Sequence, residues 1–191
     1  MIAKSLTTLA LLACSGLALA HSGHGLHHGG LASGLLHPLL GLDHLLALLA
    51  IGFWSAWQAS SLKRGIAPLA MLGLVAGTLI GLAGLSLTGI EVGIALSVVL
   101  AGVLIAALAR LPAWSGGLLA GLFMLVHGLA HGTEMHAGVD AAGYVTGLVI
   151  ASLAMLLLGR VAGNAFARRD HPAARLVGLA VALVGSVLAV A

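Results

Sequence analysis

Long apolar stretches separated by short polar breaks dominate the chain after residue 30. Six of them run approximately over residues 35–58, 66–87, 90–109, 114–134, 141–159 and 173–191. Each has close to the 20 residues or so that a helix needs to cross a hydrocarbon core roughly 30 Å thick. The pattern therefore predicts an all-α integral membrane protein, with residues 35–191 forming a domain of six transmembrane helices.

The first twenty residues have the pattern of a cleaved secretory signal peptide. Lys4 precedes an apolar run over residues 6–19, and small residues precede the expected cleavage after Ala20. The run is short for a span, so the mature chain is expected to begin at His21. Two alternatives stay open: the segment ending at Cys14 resembles a lipoprotein processing box, or the run persists as an uncleaved helix. All three place His21 outside the cytoplasm.

The basic residues orient the predicted spans. With the mature N-terminus outside, the loops after the first, third and fifth spans face the cytoplasm. These loops and their flanks contain every Lys and Arg of the mature chain, as the positive-inside rule requires. The residues are Lys63, Arg64, Arg110, Arg160, Arg168, Arg169 and Arg175. We therefore expect a multi-pass protein of a bacterial-type inner (plasma) membrane, with both mature termini extracytoplasmic.

Glycines three or four residues apart predict close contact between the second and fourth spans, because small residues let helix backbones approach each other. They are Gly73, Gly77, Gly81 and Gly84 in the second span and Gly117 and Gly121 in the fourth.

Composition agrees with a membrane protein and excludes two other classes. Hydrophobic residues make up 61% of the chain and charged residues 7%, too little charge to cover a soluble surface. The eight Lys and Arg form no run longer than two, so nucleic-acid binding is not indicated. Cys14 is the single cysteine, so any metal site within one chain must use nitrogen and oxygen ligands.

The first span begins with two histidines and an aspartate in apolar sequence. His37 and His44 are two helical turns apart and are therefore expected on nearly the same face of one helix, with Pro38 leaving His37 at its start. A lone histidine here would be read as a polar contact between helices. Asp43 changes that interpretation, because a carboxylate within a span is unfavourable enough to make a functional role the default hypothesis.

The fourth span ends with two more histidines and a carboxylate on one helical stripe, at i, i+4 and i+7. Two imidazoles and a carboxylate at this spacing can converge on one divalent ion. Glu91 lies at the start of the third span, and the predicted orientation puts all these groups in the outer half of the membrane. The predicted metal ligands are His37, Asp43, His44, Glu91, His127, His131 and Glu134.

Other histidines flank the predicted spans. Residues 21–34 form a histidine-rich extracytoplasmic segment whose tail, residues 21–28, is either a metal-gathering tract or a solvated tail. His136 and Asp140 could extend the outer funnel. His171 lies in an arginine-rich cytoplasmic loop and is expected to be solvated and outside the site.

These motifs resemble the HupE/UreJ family of nickel permeases. The resemblance rests on HPLLGLDHLLA from His37, on HGLAHGTE from His127, and on a signal peptide followed by histidines. Val126 stands where the family has an aromatic residue, and His136 where it has a proline. The resemblance implies uptake of Ni(II), and of Co(II), for hydrogenase or urease maturation. It also implies a functional set of His37, Asp43, His44, Glu91, His131 and Glu134.

The residues alone leave three kinds of function open. The first is a permease for a divalent metal ion, with Ni(II), Co(II) or Zn(II) as substrate, no enzymatic activity and no tightly bound organic cofactor. The second is an intramembrane zinc hydrolase with Glu134 as general base, although the chain lacks an H-E-x-x-H pattern. The third is a haem-binding electron carrier, which would ordinarily keep carboxylates away from the iron. The lipid bilayer is the expected environment, and a homo-oligomer is compatible with the sequence.

Overall fold

The computed structural model of the chain describes residues 29–168 and 171–190, and these residues form seven helices with no strand among them. The helices are α1 (Gly30–Leu40), α2 (Leu42–Ser55), α3 (Ser60–Leu82), α4 (Ile90–Ala106), α5 (Ala113–Glu134), α6 (Ala141–Ala167) and α7 (His171–Leu188). The predicted all-α class is confirmed. The predicted signal peptide and the histidine tail at residues 21–28 lie outside the described residues.

Three helices are long and apolar enough to cross a membrane, namely α3, α5 and α6. Helices α1 and α2 supply a fourth span if they count as one broken span. Helix α4 is apolar but has 17 residues, or about 26 Å at 1.5 Å per residue, and α7 is similarly short. The described residues are therefore those of an apolar helical protein compatible with a bilayer, and the count of six spans stays a prediction.

The first predicted span is not one continuous helix. Helix α1 begins at Gly30, five residues before the predicted start at 35, and Gly41 in an extended conformation separates it from α2. The two helices meet at 80°. Pro38 lies in the last turn of α1 rather than at the start of a span. Its ring removes a backbone donor from the helix, and α1 ends two residues later.

Two predicted span boundaries are displaced, because α3 begins at Ser60 instead of 66 and α6 ends at Ala167 instead of 159, so basic residues lie inside helices. Lys63 lies near the start of α3, where its Nζ donates to the carbonyl oxygen of Ala56 at 2.8 Å, just past the end of α2. A cation is favourable beside the last carbonyls of a helix. Helix α6 continues through Arg160 to Ala167, and Arg160 Nε donates to Ser55 Oγ at 2.9 Å.

Helix pairs joined at glycines form the bundle. Helix α3 packs on α5, α4 on α7, and both α1 and α2 on α6. A Cβ at Gly77 would overlap the carbonyl oxygen of Leu125, and one at Gly128 would overlap that of Leu74. Gly73 and Gly81 face α5 in the same way, as predicted, whereas Gly84 lies beyond the end of α3 with open space around it. These contacts determine how far α5 is shifted along its axis relative to α3, and therefore where the end of α5 lies.

Candidate metal centre

The bend between α1 and α2 brings two histidines against the end of α5. The His131 ring centroid is 4.7 Å from that of His37 and 4.3 Å from that of His44. The predicted reason, a shared face of one continuous helix, is wrong. The two imidazoles lie on two helices that meet at 80°, and both contact His131 because of that angle.

The more exposed part of the cluster contains two imidazoles and a carboxylate. His37 Nε2 lies 3.0 Å from Glu134 Oε2, and ligand atoms of His37, His131 and Glu134 all fall within 4.8 Å of one another. A bound divalent ion with bonds of about 2.1 Å holds its ligand atoms roughly 3–4 Å apart. If the three side chains move slightly closer and the ion replaces the His37–Glu134 hydrogen bond, their nitrogen and oxygen atoms can all bind the ion.

The deeper part of the cluster contains His44 and His127. Their ring centroids lie 4.8 Å apart, and the ring planes are almost perpendicular. Asp43 Oδ1 accepts hydrogen bonds from both the backbone N–H and the Nδ1 of His44, each at 2.8 Å. A carboxylate oxygen has no proton to give in its ionised form, so His44 Nδ1 carries a proton, and in the neutral imidazole this leaves the lone pair on Nε2. Carboxylates that orient a ligating histidine commonly have this arrangement.

Three buried imidazole nitrogens have no hydrogen-bond partner among the described residues. They are His44 Nε2, His127 Nδ1 and His131 Nδ1. An unsatisfied buried polar group destabilises a fold by about 1–3 kcal/mol, so three in contacting rings need an explanation. Neutral imidazole nitrogens are good ligands for divalent transition metals. The His44 ring contacts both other rings, which favours a site that gains partners when an ion enters.

The cluster of His37, Asp43, His44, His127, His131 and Glu134 is called the histidine site from here on. It contains six of the seven predicted ligands. The seventh, Glu91, is exposed at the start of α4, and its side chain makes no hydrogen bond or ion pair with another described residue. Asp140 caps α6 by accepting from the Gly143 N–H at 2.9 Å, which gives it a structural role. His136 is exposed in the loop after α5.

Three residues at the site carried no signal in the sequence. Tyr144 donates its hydroxyl to the carbonyl oxygen of His131 at 3.2 Å and lies against His37. Ser97 Oγ lies 2.8 Å from His127 Nε2. Gly41 leaves room for the Asp43–His44 pair, because a Cβ there would come 2.9 Å from His44 Nδ1. The hydroxyl residues lie 30 and 13 residues from their partners, so only the helix packing reveals them.

Comparison with known proteins gives a consistent result. Residues 9–188 match the family described as HupE / UreJ protein. A curated relative named Protein HupE, from Rhizobium leguminosarum bv. viciae, is 36% identical over 188 residues, which cover 98% of this chain and 97% of the relative. No solved structure matches the chain at a significant level.

Proposed function

The chain belongs to the HupE/UreJ family, and from that premise we propose that it is a permease for the uptake of Ni(II), with Co(II) as a second substrate. It acts as a transporter rather than an enzyme, and it supplies metal for hydrogenase or urease maturation. The intramembrane zinc hydrolase is not favoured, because it would need a catalytic function that the family does not suggest.

One observation carries this proposal. Imidazoles from α1, α2 and α5 contact one another, and three of their buried nitrogens lack a partner among the described residues. An ion entering the site replaces part of its hydration shell with nitrogen ligands and with the carboxylate of Glu134, while the charge of Asp43 offsets that of the ion. The half-buried His37 and the exposed Glu134 receive the ion. His131 contacts both His37 and His44, so it links these two groups to the deeper imidazoles.

The membrane arrangement that fits this function has six spans. Helices α1 and α2 form one broken span, and the shorter α4 and α7 also cross the bilayer, with modest local thinning. The histidine site faces the extracytoplasmic side, and both termini of the mature chain lie on that side. Support comes from the described basic residues, which occupy the opposite ends of the helices and their loops, as the positive-inside rule requires.

The test is uptake of radioactive nickel by cells that express the full chain, normalised to its amount in the membrane. His131→Ala should abolish uptake, because this residue belongs to both parts of the histidine site. His136→Ala is the matched control, since it removes an exposed imidazole near the end of the same helix and should leave uptake unchanged. Unchanged uptake in His131→Ala, at normal protein level, would overturn the proposed path.

A further inference from the structure

Ser97 is a buried polar residue on α4 that faces the histidine site. Its side chain is almost completely buried, with 2% of the residue exposed. The hydroxyl oxygen lies 2.6 Å from the carbonyl oxygen of Ile94 and 2.8 Å from Nε2 of His127. Ser97 therefore links the backbone of α4 to an imidazole of α5.

The proton positions follow from these two contacts. A serine hydroxyl has one proton, and a carbonyl oxygen can only accept. The short contact to Ile94 shows that the Ser97 hydroxyl donates its proton in a hydrogen bond to that carbonyl oxygen, as serines in apolar helices commonly do. The Ser97 oxygen is then an acceptor for His127, so Nε2 of His127 carries the imidazole proton.

The other ring nitrogen leads to the same assignment. His127 Nδ1 is buried and has no partner among the described residues. If Nδ1 carried the proton, a buried N–H donor would be left without an acceptor, which is unfavourable. With the proton on Nε2, Nδ1 presents a lone pair on a ring that lies against His44.

We propose that Ser97 is a positioning residue: it holds His127 in the form protonated at Nε2, so that Nδ1 can bind the transported divalent cation. This inference rests on the proposed function and deepens it. Ser97 acts on His127 as Asp43 acts on His44, by accepting the proton of the ring nitrogen that does not face the ion. The neutral hydroxyl does so without adding charge. Outer-sphere partners of this kind typically change metal affinity by about 10- to 100-fold.

The first measurement is nitrogen NMR on the purified full chain with isotopically labelled histidine and no metal added. The His127 signals, assigned with His127→Gln, should show a protonated Nε2 and an unprotonated Nδ1. A proton on Nδ1 in the unaltered protein would overturn the proposal without any substitution at Ser97.

The second measurement is titration with Co(II), followed by its visible absorption. Ser97→Ala should bind Co(II) about 10- to 100-fold more weakly and should show mixed protonation of His127. Ser97→Thr keeps the hydroxyl and should restore both readouts. Ser152→Ala, at another fully buried serine, is the matched control for lost volume and should bind normally.

The outcomes separate this inference from the function on which it rests. Normal affinity and unchanged His127 protonation in Ser97→Ala would overturn the role of Ser97 while leaving the permease intact. If Ser97→Thr has the His127 protonation of the unaltered chain but still binds Co(II) weakly, the effect of Ser97 on affinity would come from packing alone. Absence of Co(II) and Ni(II) binding by the unaltered chain would instead overturn the proposed function.

Discussion

The two ends of the helix bundle carry opposite charge. The histidine end, where α2 starts and α5 finishes, holds every carboxylate among the described residues: Asp43, Glu91, Glu134 and Asp140. The arginine end, where α2 finishes and α3 starts, holds every described Lys and Arg: Lys63, Arg64, Arg110, Arg160, Arg168 and Arg175. The same helices therefore present an acceptor-rich surface at one end and a donor-rich surface at the other.

The buried groups without partners differ in the same direction. At the histidine end they are imidazole nitrogens, which can present lone pairs to a cation. At the arginine end they include Arg160 Nη2 and Trp57 Nε1, which can only donate. The charge of Arg160 opposes a cation there. From this comparison we expect cation binding at the histidine end alone.

Polar groups at the arginine end otherwise join helices to one another. Trp54 Nε1 and Gln58 Nε2 both donate to the carbonyl oxygen of Ala109 at 2.8 Å, and Gln58 Oε1 accepts from the Leu111 N–H at 3.1 Å. These bonds fasten the end of α2 to the segment between α4 and α5. At the histidine end, contacting imidazoles keep unused hydrogen-bonding capacity, whereas Trp54 and Gln58 at this end use theirs to join helical segments.

The largest effect is expected from Asp43→Asn, which removes a charge but hardly changes volume. The amide oxygen can still accept from His44, but the site loses the negative charge that offsets a divalent ion inside the bundle. Nickel uptake should fall at least about 100-fold, corresponding to two 1.4 kcal/mol steps. Asp140→Asn is the matched control, because Asn caps helices as well as Asp. Equal uptake by the two variants would remove the distinction between a site carboxylate and a capping carboxylate.

Much of the site could be predicted from local patterns. The unfavourable placement of Asp43 within an apolar run indicates a functional role for α2. The four-residue spacing of His127 and His131 indicates a metal-binding role for α5. The bend at Gly41 could not be predicted, because the run over residues 35–58 is apolar on both sides of it. Pro38 and Gly41 are each tolerated in a membrane helix, and only their proximity makes a break.

Residues that act through another side chain could not be predicted from the sequence either. Ser97 is one hydroxyl in an apolar helix, with no local feature that separates it from Ser152. Its contact with His127 arises from how α4 and α5 pack, 30 residues apart in the chain. The span boundaries near Lys63 and Arg160 were displaced for a related reason, because both cations find oxygen partners on α2 or just beyond it and need not end a helix.

A smaller loss is expected from Gly41→Ala. The new Cβ would lie 2.9 Å from His44 Nδ1 and 3.0 Å from Asp43 Oδ1, so the pair must shift. The protonated Nδ1 and the carboxylate would separate, and Co(II) affinity of the purified chain should weaken about tenfold. Gly65→Ala is the control, since its nearest neighbour would be the Leu69 Cδ1 at 3.8 Å. Equal affinities would mean that the bend does not determine the geometry of the site.

At the arginine end, Gln58→Ala should reduce stability without changing metal affinity. The substitution removes the acceptor for the Leu111 N–H and one donor to Ala109, a loss of about 1–3 kcal/mol. Thermal unfolding of the purified chain should occur at lower temperature, while the Co(II) titration matches that of the unaltered protein. A large loss of Co(II) affinity would contradict the confinement of cation binding to the histidine end.

The smallest effect is expected from Glu91→Gln. Glu91 is at the histidine end but exposed and without a described ion-pair or hydrogen-bond partner, so it attracts cations through water rather than as a ligand. Uptake at scarce nickel should fall by less than about tenfold, and the difference should shrink as ionic strength rises, because salt screens exposed charges. At abundant nickel the two rates should coincide. A loss as deep as that of Asp43→Asn at every nickel concentration and ionic strength would instead place Glu91 among the ligands, and the histidine site would then have to include the start of α4.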